Sequence, residues 1–445
     1  MKTYKKLKFV ELRELGFWDT KRYLNISDKK FKNNITLSDV LIPYKKKISK
    51  REMIEKKYAI ISKINFGGEL FLRDLNDIEN YKGDIYLVPD NSIIYSKINV
   101  KHGCIFYNDK GNTPFGVSSE YPIFTFDNTI VSGKFLQKLL RTQEFKKLLD
   151  TKATGISKAR VKQADFLATR VPLPSLSEQE DIVKSYYDKI EQAVAWEQEA
   201  DALEKKIETY LFEELGVSFQ KYELLQIGKL HFIEFKEIEN WIYNSIEMQF
   251  YKDLSKSKFP INTIGDVFDF ISRNWEKKAN EDKEYIELGS IDANFGILET
   301  KTISPEKAPS RATQIVKTGD LIIGTTRPYL KKFAIIDEKY SDFVASSGFS
   351  VIEENKGKYN LYFLNEVIKS DIGIKQFEIK MTGALYPAIT QTELESLKIP
   401  VPPLSKQNEI AATIATMKQE QKNKIERATL LKQQAEQEFE QTIFS

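Results

Sequence analysis

Two stretches of this chain carry narrow apolar stripes on otherwise charged backgrounds. Between residues 177 and 215, Ala193, Trp196, Ala200, Leu203, Ile207 and Tyr210 recur in alternating steps of three and four. Between residues 405 and 443, Ala428, Leu431 and Ala435 keep the same register, interrupted by Lys424 and Glu438. A stripe this narrow does not bury a whole helix; it suits one that meets a partner along a seam. Each stretch predicts a helix of about 39 residues, on the order of 58 Å long. Elsewhere the apolar residues fall in short aromatic and β-branched runs separated by Gly, Asp and Asn, the pattern of half-buried strands. These runs cover 58–64, 92–98, 104–107 and 122–126, then 285–291, 320–324, 333–336 and 349–352. A helix follows each set, at 133–149 and at 361–369, and strands without regular βαβ alternation predict an α+β fold.

The two sets are copies. Thr154-Gly155 leads through a polar loop to Val171-Pro172-Leu173-Pro174-Ser175-Leu176-Ser177-Glu178-Gln179 and Ile182. Thr382-Gly383 leads likewise to Ile399-Pro400-Val401-Pro402-Pro403-Leu404-Ser405-Lys406-Gln407 and Ile410, at one constant offset and without a gap. Further matches keep order and nearly keep spacing: Leu7–Glu14 with Leu230–Glu237, Trp18 with Trp241, Asp39-Val40 with Asp266-Val267, and Ser118-Ser119 with Ser346-Ser347. Such a series is a tandem duplication. Its domains are expected at 1–172 and 223–400, with spacer helices at 173–222 and 401–445. The prolines force extended backbone before each helix, and Ser177 and Ser405 are the expected N-caps, Ser177 with Glu180 forming a capping box. The simplest partner for each long helix is the other. An antiparallel pair would place the globular domains at opposite ends, whereas homodimerisation through the same stripe is the competing arrangement.

Composition narrows the class. A chain of 445 residues is too long for one ordinary core. A net charge of +3 excludes a polybasic protein but allows local basic patches. The single cysteine, Cys104, excludes an internal disulfide and a cysteine metal cluster, and the histidines, His102 and His231, lie far apart in sequence. With no apolar signal core and no run of membrane-spanning length, a cytoplasmic protein is expected. Catalytic patterns are missing as well. Gly111–Gly116 has phosphate-loop spacing, but Val117 stands where the lysine belongs. No Gly-x-Gly-x-x-Gly follows a strand, and no Asp/Asn-Pro-Pro-Tyr/Phe segment is present to hold a target base. The chain therefore reads as a non-enzyme without metal or cofactor of its own.

Binding chemistry is better represented. After the strand at 320–324 come Thr325, Thr326, Arg327, Tyr329 and Lys331, and the first copy offers Lys97, Lys101 and His102 in the matching place. Hydroxyls and cations beside an aromatic can bond phosphates, and arginine can fork onto guanine. A solvated hairpin would have the same composition. In the first Thr-Gly loop Ser157, Lys158 and Arg160 offer a hydroxyl and two cations, while the second keeps only Tyr386 for a sugar or base. Arg273, Arg311 and Lys301, with Lys63 and Arg73, are additional cations. The loops 67–82 and 294–314 share almost nothing, as expected of two readers of different targets on one scaffold.

This combination resembles the specificity subunits of type I restriction-modification systems. The two proline segments look like that family's Pro-Leu-Pro-Pro-Leu-x-Glu-Gln approach to its spacer helices, with Ser175 and Lys406 as departures at positions expected to face solvent. Gly319-Asp320-Leu321-Ile322 and Ala345–Phe349 are similar to segments of its target-recognition domains. The resemblance implies a target-recognition domain at each end of an antiparallel coiled coil, each reading one half of a bipartite double-stranded DNA site. It implies as partners two methyltransferase subunits carrying S-adenosylmethionine and restriction-translocase subunits using ATP with Mg, none of these cofactors lying in this chain. Recognition subunits of type IIB-like systems share the pattern. The alternative is a scaffold of two adaptor domains on a coiled coil that binds no DNA.

Overall fold

The structure, a computed structural model, describes residues 34–153, 160–219, 245–383 and 385–444. The matched segments at 7–14 and 230–237, Trp18 and Trp241, and the Thr154-Gly155 loop with Ser157 and Lys158 lie outside them. The chain forms two compact units, Met1–Glu197 with Glu426–Ser445, and Gln198–Ile425. Each unit thus takes a stretch of both long helices, where a linear partition assigns each helix its own segment.

In the first unit an antiparallel sheet orders Ile42–Tyr44, Ile123–Thr125, Ser92–Tyr95 and Ile105–Asn108. The second unit repeats that order with Phe270–Ile271, Phe349–Ile352, Leu321–Gly324 and Phe333–Ile335. A second sheet accompanies it: Lys47–Ile48, Ile85–Val88 and Phe115–Val117 in the first unit. The second unit has Lys301–Ile303, Lys283–Ile286, Val344–Ser346 and Ala312–Ile315 there. The run before each proline segment pairs with an early strand, Arg170–Pro172 with Asn34–Thr36 and Lys398–Pro400 with Ile261–Thr263, which closes each domain just before its long helix. The cores are aromatic. Tyr95 stacks on Phe166 at 4.3 Å in the first unit, and Phe333, Phe363 and Phe377 are fully buried in the second. Each such side chain contributes about 1.5–3 kcal/mol by leaving water.

The helix expected at 133–149 is two helices, Gly133–Leu139 and Gln143–Lys152. Thr142 ends the first by donating to the Leu139 carbonyl at 2.7 Å and caps the second by accepting from the Phe145 amide at 3.3 Å. A hydroxyl that satisfies both free ends makes the break cheaper than continuing the helix. Ser370 does the same between Leu361–Lys369 and Asp371–Lys380.

The long helices run Leu176–Leu215 and Leu404–Phe444. Each begins earlier than expected, because helical geometry can start as soon as the last proline is passed. Ser175, not Ser177, forms the capping box: its amide and hydroxyl both donate to Glu178, at 2.8 and 2.7 Å. In the second copy Pro403 occupies that position and its carbonyl accepts from the Lys406 and Gln407 amides, which leaves Ser405 inside the first turn. Lys406 is half-buried and pairs with Glu214 at 2.6 Å, so this departure from the family motif is not a bare solvent position.

The glutamine of each motif is a lock. Gln179 is fully buried; its Oε1 accepts from the Ser132 amide at 2.9 Å and its Nε2 donates to the Ile130 and Pro174 carbonyls at 3.1 and 2.9 Å. Gln407 accepts from the Asn360 amide at 2.9 Å and donates to the Pro402 carbonyl at 2.9 Å. In both units one side chain ties the proline segment to the start of the domain's own helix, at Gly133 or Leu361.

Within each unit the long helices pair antiparallel. In the first, Lys189 meets Glu438 at 2.6 Å and Glu197 meets Lys432 at 2.7 Å, so one number falls as the other rises. In the second, Glu199 meets Lys424 and Glu214 meets Lys406, both at 2.6 Å. Ala193, Ala428 and Ala435 are buried in the first unit, with Trp196 and Leu431 half-buried. Ala200, Leu203 and Ile207 are buried in the second, and Tyr210 packs on its core. Lys424 and Glu438, expected to interrupt the seam, instead form ion pairs across it. Ile414, Gln421, Ala428 and Ala435, seven residues apart, are all buried, and Gln421 donates to the Ala200 carbonyl at 3.2 Å. A strict seven-residue step is the coiled-coil repeat. Among the described residues no helix is long and apolar enough to cross a membrane.

Candidate nucleic-acid interface

In each unit one inner strand of the main sheet runs out into the same loop. In the second unit Leu321–Gly324 ends at Thr325, whose amide and Oγ1 both donate to the Gly348 carbonyl, at 2.9 and 3.1 Å. Arg327 then turns left-handed at φ 49°, Pro328–Leu330 form one 3-10 turn, and Lys331 is left-handed again at φ 55°. In the first unit Asn99 at φ 65°, Val100–His102 and Gly103 at φ 90° trace the same path, at the offset that separates the two Thr-Gly segments. Asn and Gly adopt left-handed backbone readily, whereas for Arg327 and Lys331 it costs roughly 1 kcal/mol each.

The residues that follow the Thr-Gly loop dock on this turn in both units. Isolated bridges join Ile98 to Arg160 and Thr326 to Ala388. The Val161 amide donates to the Lys97 carbonyl at 3.2 Å, as the Ile389 amide does to Thr325 at 3.0 Å. In the second unit Thr382 and Ala388 exchange hydrogen bonds of 3.0 Å, closing a hairpin that Gly383 enters at φ 103°. Arg327 fastens it: its amide donates to Pro387 at 2.7 Å, its Nη2 to the Leu385 carbonyl at 2.9 Å, and its guanidinium lies 4.8 Å from the Tyr386 ring centre. Thr325, Thr326, Arg327, Tyr329, Lys331 and Tyr386 therefore belong to one surface, although Arg327 and Leu385 are 58 residues apart. The guanidinium that the sequence offers to guanine is engaged within its own unit. One arm of the fork holds a carbonyl, its face covers a ring, and its Nε is buried without a partner. The side chain braces the neighbouring loop.

In the first unit the described loop cations bond to their own protein. Lys97 Nζ donates to the Ser119 carbonyl at 2.7 Å, Lys101 pairs with Asp150 at 2.7 Å, and Arg160 pairs with Glu120 at 3.1 Å. The His102 ring lies 4.9 Å from that of Phe66. Such part-exposed pairs are worth about 0–1 kcal/mol, so a phosphate can compete for the cations. Arg273 differs. It pairs at 2.5 Å with Asp320, which is 1% exposed, and at 2.7 Å with Glu353. Burial pulls its pKa down, but the two carboxylates outweigh this and raise it. Removing one partner of such a pair strands a buried charge, so Arg273 ties together two segments that flank neighbouring strands of its own unit. Arg311 is exposed, and its carbonyl accepts from the Ser347 amide at 2.7 Å, next to the turn on which Thr325 rests. Lys63 lies 4.9 Å over Phe71, Arg73 5.6 Å over Tyr81, and Lys301 pairs with Glu287.

A further contact, between a cation at the end of a helix and a distant turn, is shared by the two units. Arg141 and Lys369, again separated by the repeat offset, each donate to a carbonyl of a hairpin turn, Gly67 in the first unit and Ala293 at 2.9 Å in the second. Both turns carry Asn-Phe-Gly, at 65–67 and 294–296. Burial, reinforced by Lys418, pushes the Lys369 ammonium down to about 8. Among the described residues no cluster of His, Cys, Asp or Glu has the arrangement of a metal site.

Residues 256–432 match the family described as the type I restriction modification DNA specificity domain. A stretch of 177 residues is 25% identical to the type I restriction enzyme HindI specificity subunit of Haemophilus influenzae, covering 39% of this chain and 38% of that protein. Over 361 residues the chain is 24% identical to the type I restriction enzyme MjaVIII specificity subunit of Methanocaldococcus jannaschii, covering 77% of each. A chain from a solved structure of type I R-M system assembly and conformational transition shares the fold, with a TM-score of 0.57 at 15% identity over 92% of this chain and 98% of its own.

Proposed function

We infer that this chain, a member of the type I restriction-modification specificity-subunit family, is the non-catalytic part that reads DNA sequence for its system. Each unit reads one half of a bipartite duplex site, and the antiparallel helices hold the two halves at a fixed spacing. The observation that carries this reading is the doubled loop frame. Two units keep the same left-handed turn, the same bridge and the same carbonyl bond at one offset, yet present different side chains. Common backbone with divergent tips is what two readers of two sequences require, because phosphate contacts position a protein while base contacts specify.

In this reading two methyltransferase subunits, holding S-adenosylmethionine, methylate adenine, and restriction-translocase subunits, using ATP and Mg, cut; the complex works in the cytoplasm. Lys97, Lys101, His102, Ser157, Lys158 and Arg160 supply the first unit's contacts. Thr325, Thr326, Tyr329, Lys331, Arg311 and Tyr386 supply the second's, with Arg327 behind them. Methylome sequencing of a host with and without the chain tests it: a two-part adenine-methylated motif should appear only with the chain. If the assembled complex protects no defined sequence, the scaffold reading replaces this one.

A further inference from the structure

The most exposed apolar pair among the described residues is at the tip of the second Thr-Gly loop. Leu385 is 80% and Tyr386 71% exposed, and Tyr329 and Leu330 on the companion turn are also exposed. Adjacent large apolar side chains at a loop tip are unfavourable in water and call for a cover. The tip's described residues are also tied to the neighbouring turn. The Leu385 and Pro387 carbonyls both accept from Arg327, the Arg327 guanidinium lies on the Tyr386 ring, and the Thr382–Ala388 pairing closes the loop below. A braced tip can enter a narrow space without first losing the freedom of a loose loop.

We propose that Leu385 and Tyr386 form a wedge that enters the base stack of the half-site bound by the second unit, with Arg327 as its positioning residue. The proposal rests on the reading that the chain binds duplex DNA. On a duplex, phosphates and groove edges offer polar groups, and the faces of the bases are the apolar surface that fits Leu and Tyr. Inserted side chains of this kind unstack a step and kink the helix. The first half carries Ser157 and Lys158 at the positions of Leu385 and Tyr386, and Asn99 at that of Arg327. In sequence the Leu-Tyr pair and the arginine occur together in one half, and neither stands at the matching positions of the other, so the distortion is assigned to one half-site.

The test uses the chain assembled with its methyltransferase subunits and duplexes in which 2-aminopurine replaces successive bases of the mapped site. A several-fold fluorescence rise is expected at one step of one half-site, with none in the other. The double variant L385S/Y386S should lose the rise and bind about tenfold more weakly, as expected for lost stacking. Both residues are exposed, so unchanged circular dichroism shows that the fold survives. Arg327→Met should reduce the rise without changing which base is preferred, whereas a direct guanine reader would relax that preference. Site-specific binding with no fluorescing step overturns the wedge, as does a rise that survives the double substitution. Loss of the methyltransferase subunits from the double variant would make the tip a protein contact and likewise overturn it. If the wild-type complex binds no duplex selectively, the DNA reading itself fails and the wedge with it.

Discussion

Replacing Gln407 by leucine keeps most of the side-chain volume but removes both hydrogen-bonding groups from a site that is 2% exposed. The Asn360 amide and the Pro402 carbonyl then lose partners at 2.9 Å. Pro402 is buried and cannot turn to water; Asn360 is half-buried and can do so only in part. A stranded buried group costs on the order of 1–3 kcal/mol, while the leucine gains some apolar burial, so a net loss of about 2 kcal/mol is expected. That corresponds to roughly thirtyfold in the opening equilibrium. Hydrogen exchange read by mass spectrometry gives the local value. Peptides covering 360–369 should exchange about thirtyfold faster, and peptides from 133–152 should not change. Gln179→Leu should give the mirror result, with a similar or larger effect because three bonds are lost, though the Ile130 carbonyl can be rehydrated at an exposed residue. Gln434→Leu, on an exposed face with only a neighbouring glutamate bonded, is the control. A change below threefold in 360–369 would refute the lock.

Three further outcomes are expected. Arg273→Met strands Asp320 and should destabilise the second unit by on the order of 3–5 kcal/mol in urea unfolding; normal stability with weakened DNA binding would return Arg273 to the interface. Lys369 has its folded pKa lowered to about 8 from an ordinary 10.5, so the unfolded chain binds more protons between those values and stability must rise with pH there. The gain is roughly 3 kcal/mol as an upper bound, and thermal unfolding of Lys369→Met from pH 7 to 10 should lose this rise. Inserting seven residues after Ala200, with seven matching residues before Ala428, adds about 10 Å to the helix pair, close to three base pairs. Methylome mapping should show unchanged half-sites and a longer spacer; a changed half-site with the old spacer would sink the ruler.

Much of this architecture is written locally. The constant repeat offset, the proline segments, the aromatic runs and the seven-residue spacing of Ile414, Gln421, Ala428 and Ala435 are all visible in the chain, because periodicity follows from which face of an element is buried. Local signals also mislead where two satisfy one rule. Both Ser175 and Ser177 have a glutamate three residues on, and only the folded chain shows that Ser175 with Glu178 makes the box. Thr142 reads as an ordinary helix residue until its hydroxyl is seen bonding the ends of two helices.

What the tertiary structure alone decided is the work of individual polar side chains. Arg273 and Arg327 are equally cationic in sequence, yet one is consumed by a buried aspartate 47 residues away and the other braces a loop 58 residues away. Gln179 and Gln407 read as motif letters and prove to be locks. Apolar burial is proportional to area and nearly indifferent to partner, so its pattern survives in one dimension. A hydrogen bond or ion pair depends on which groups meet, within a few tenths of an ångström, and only the folded chain sets that distance.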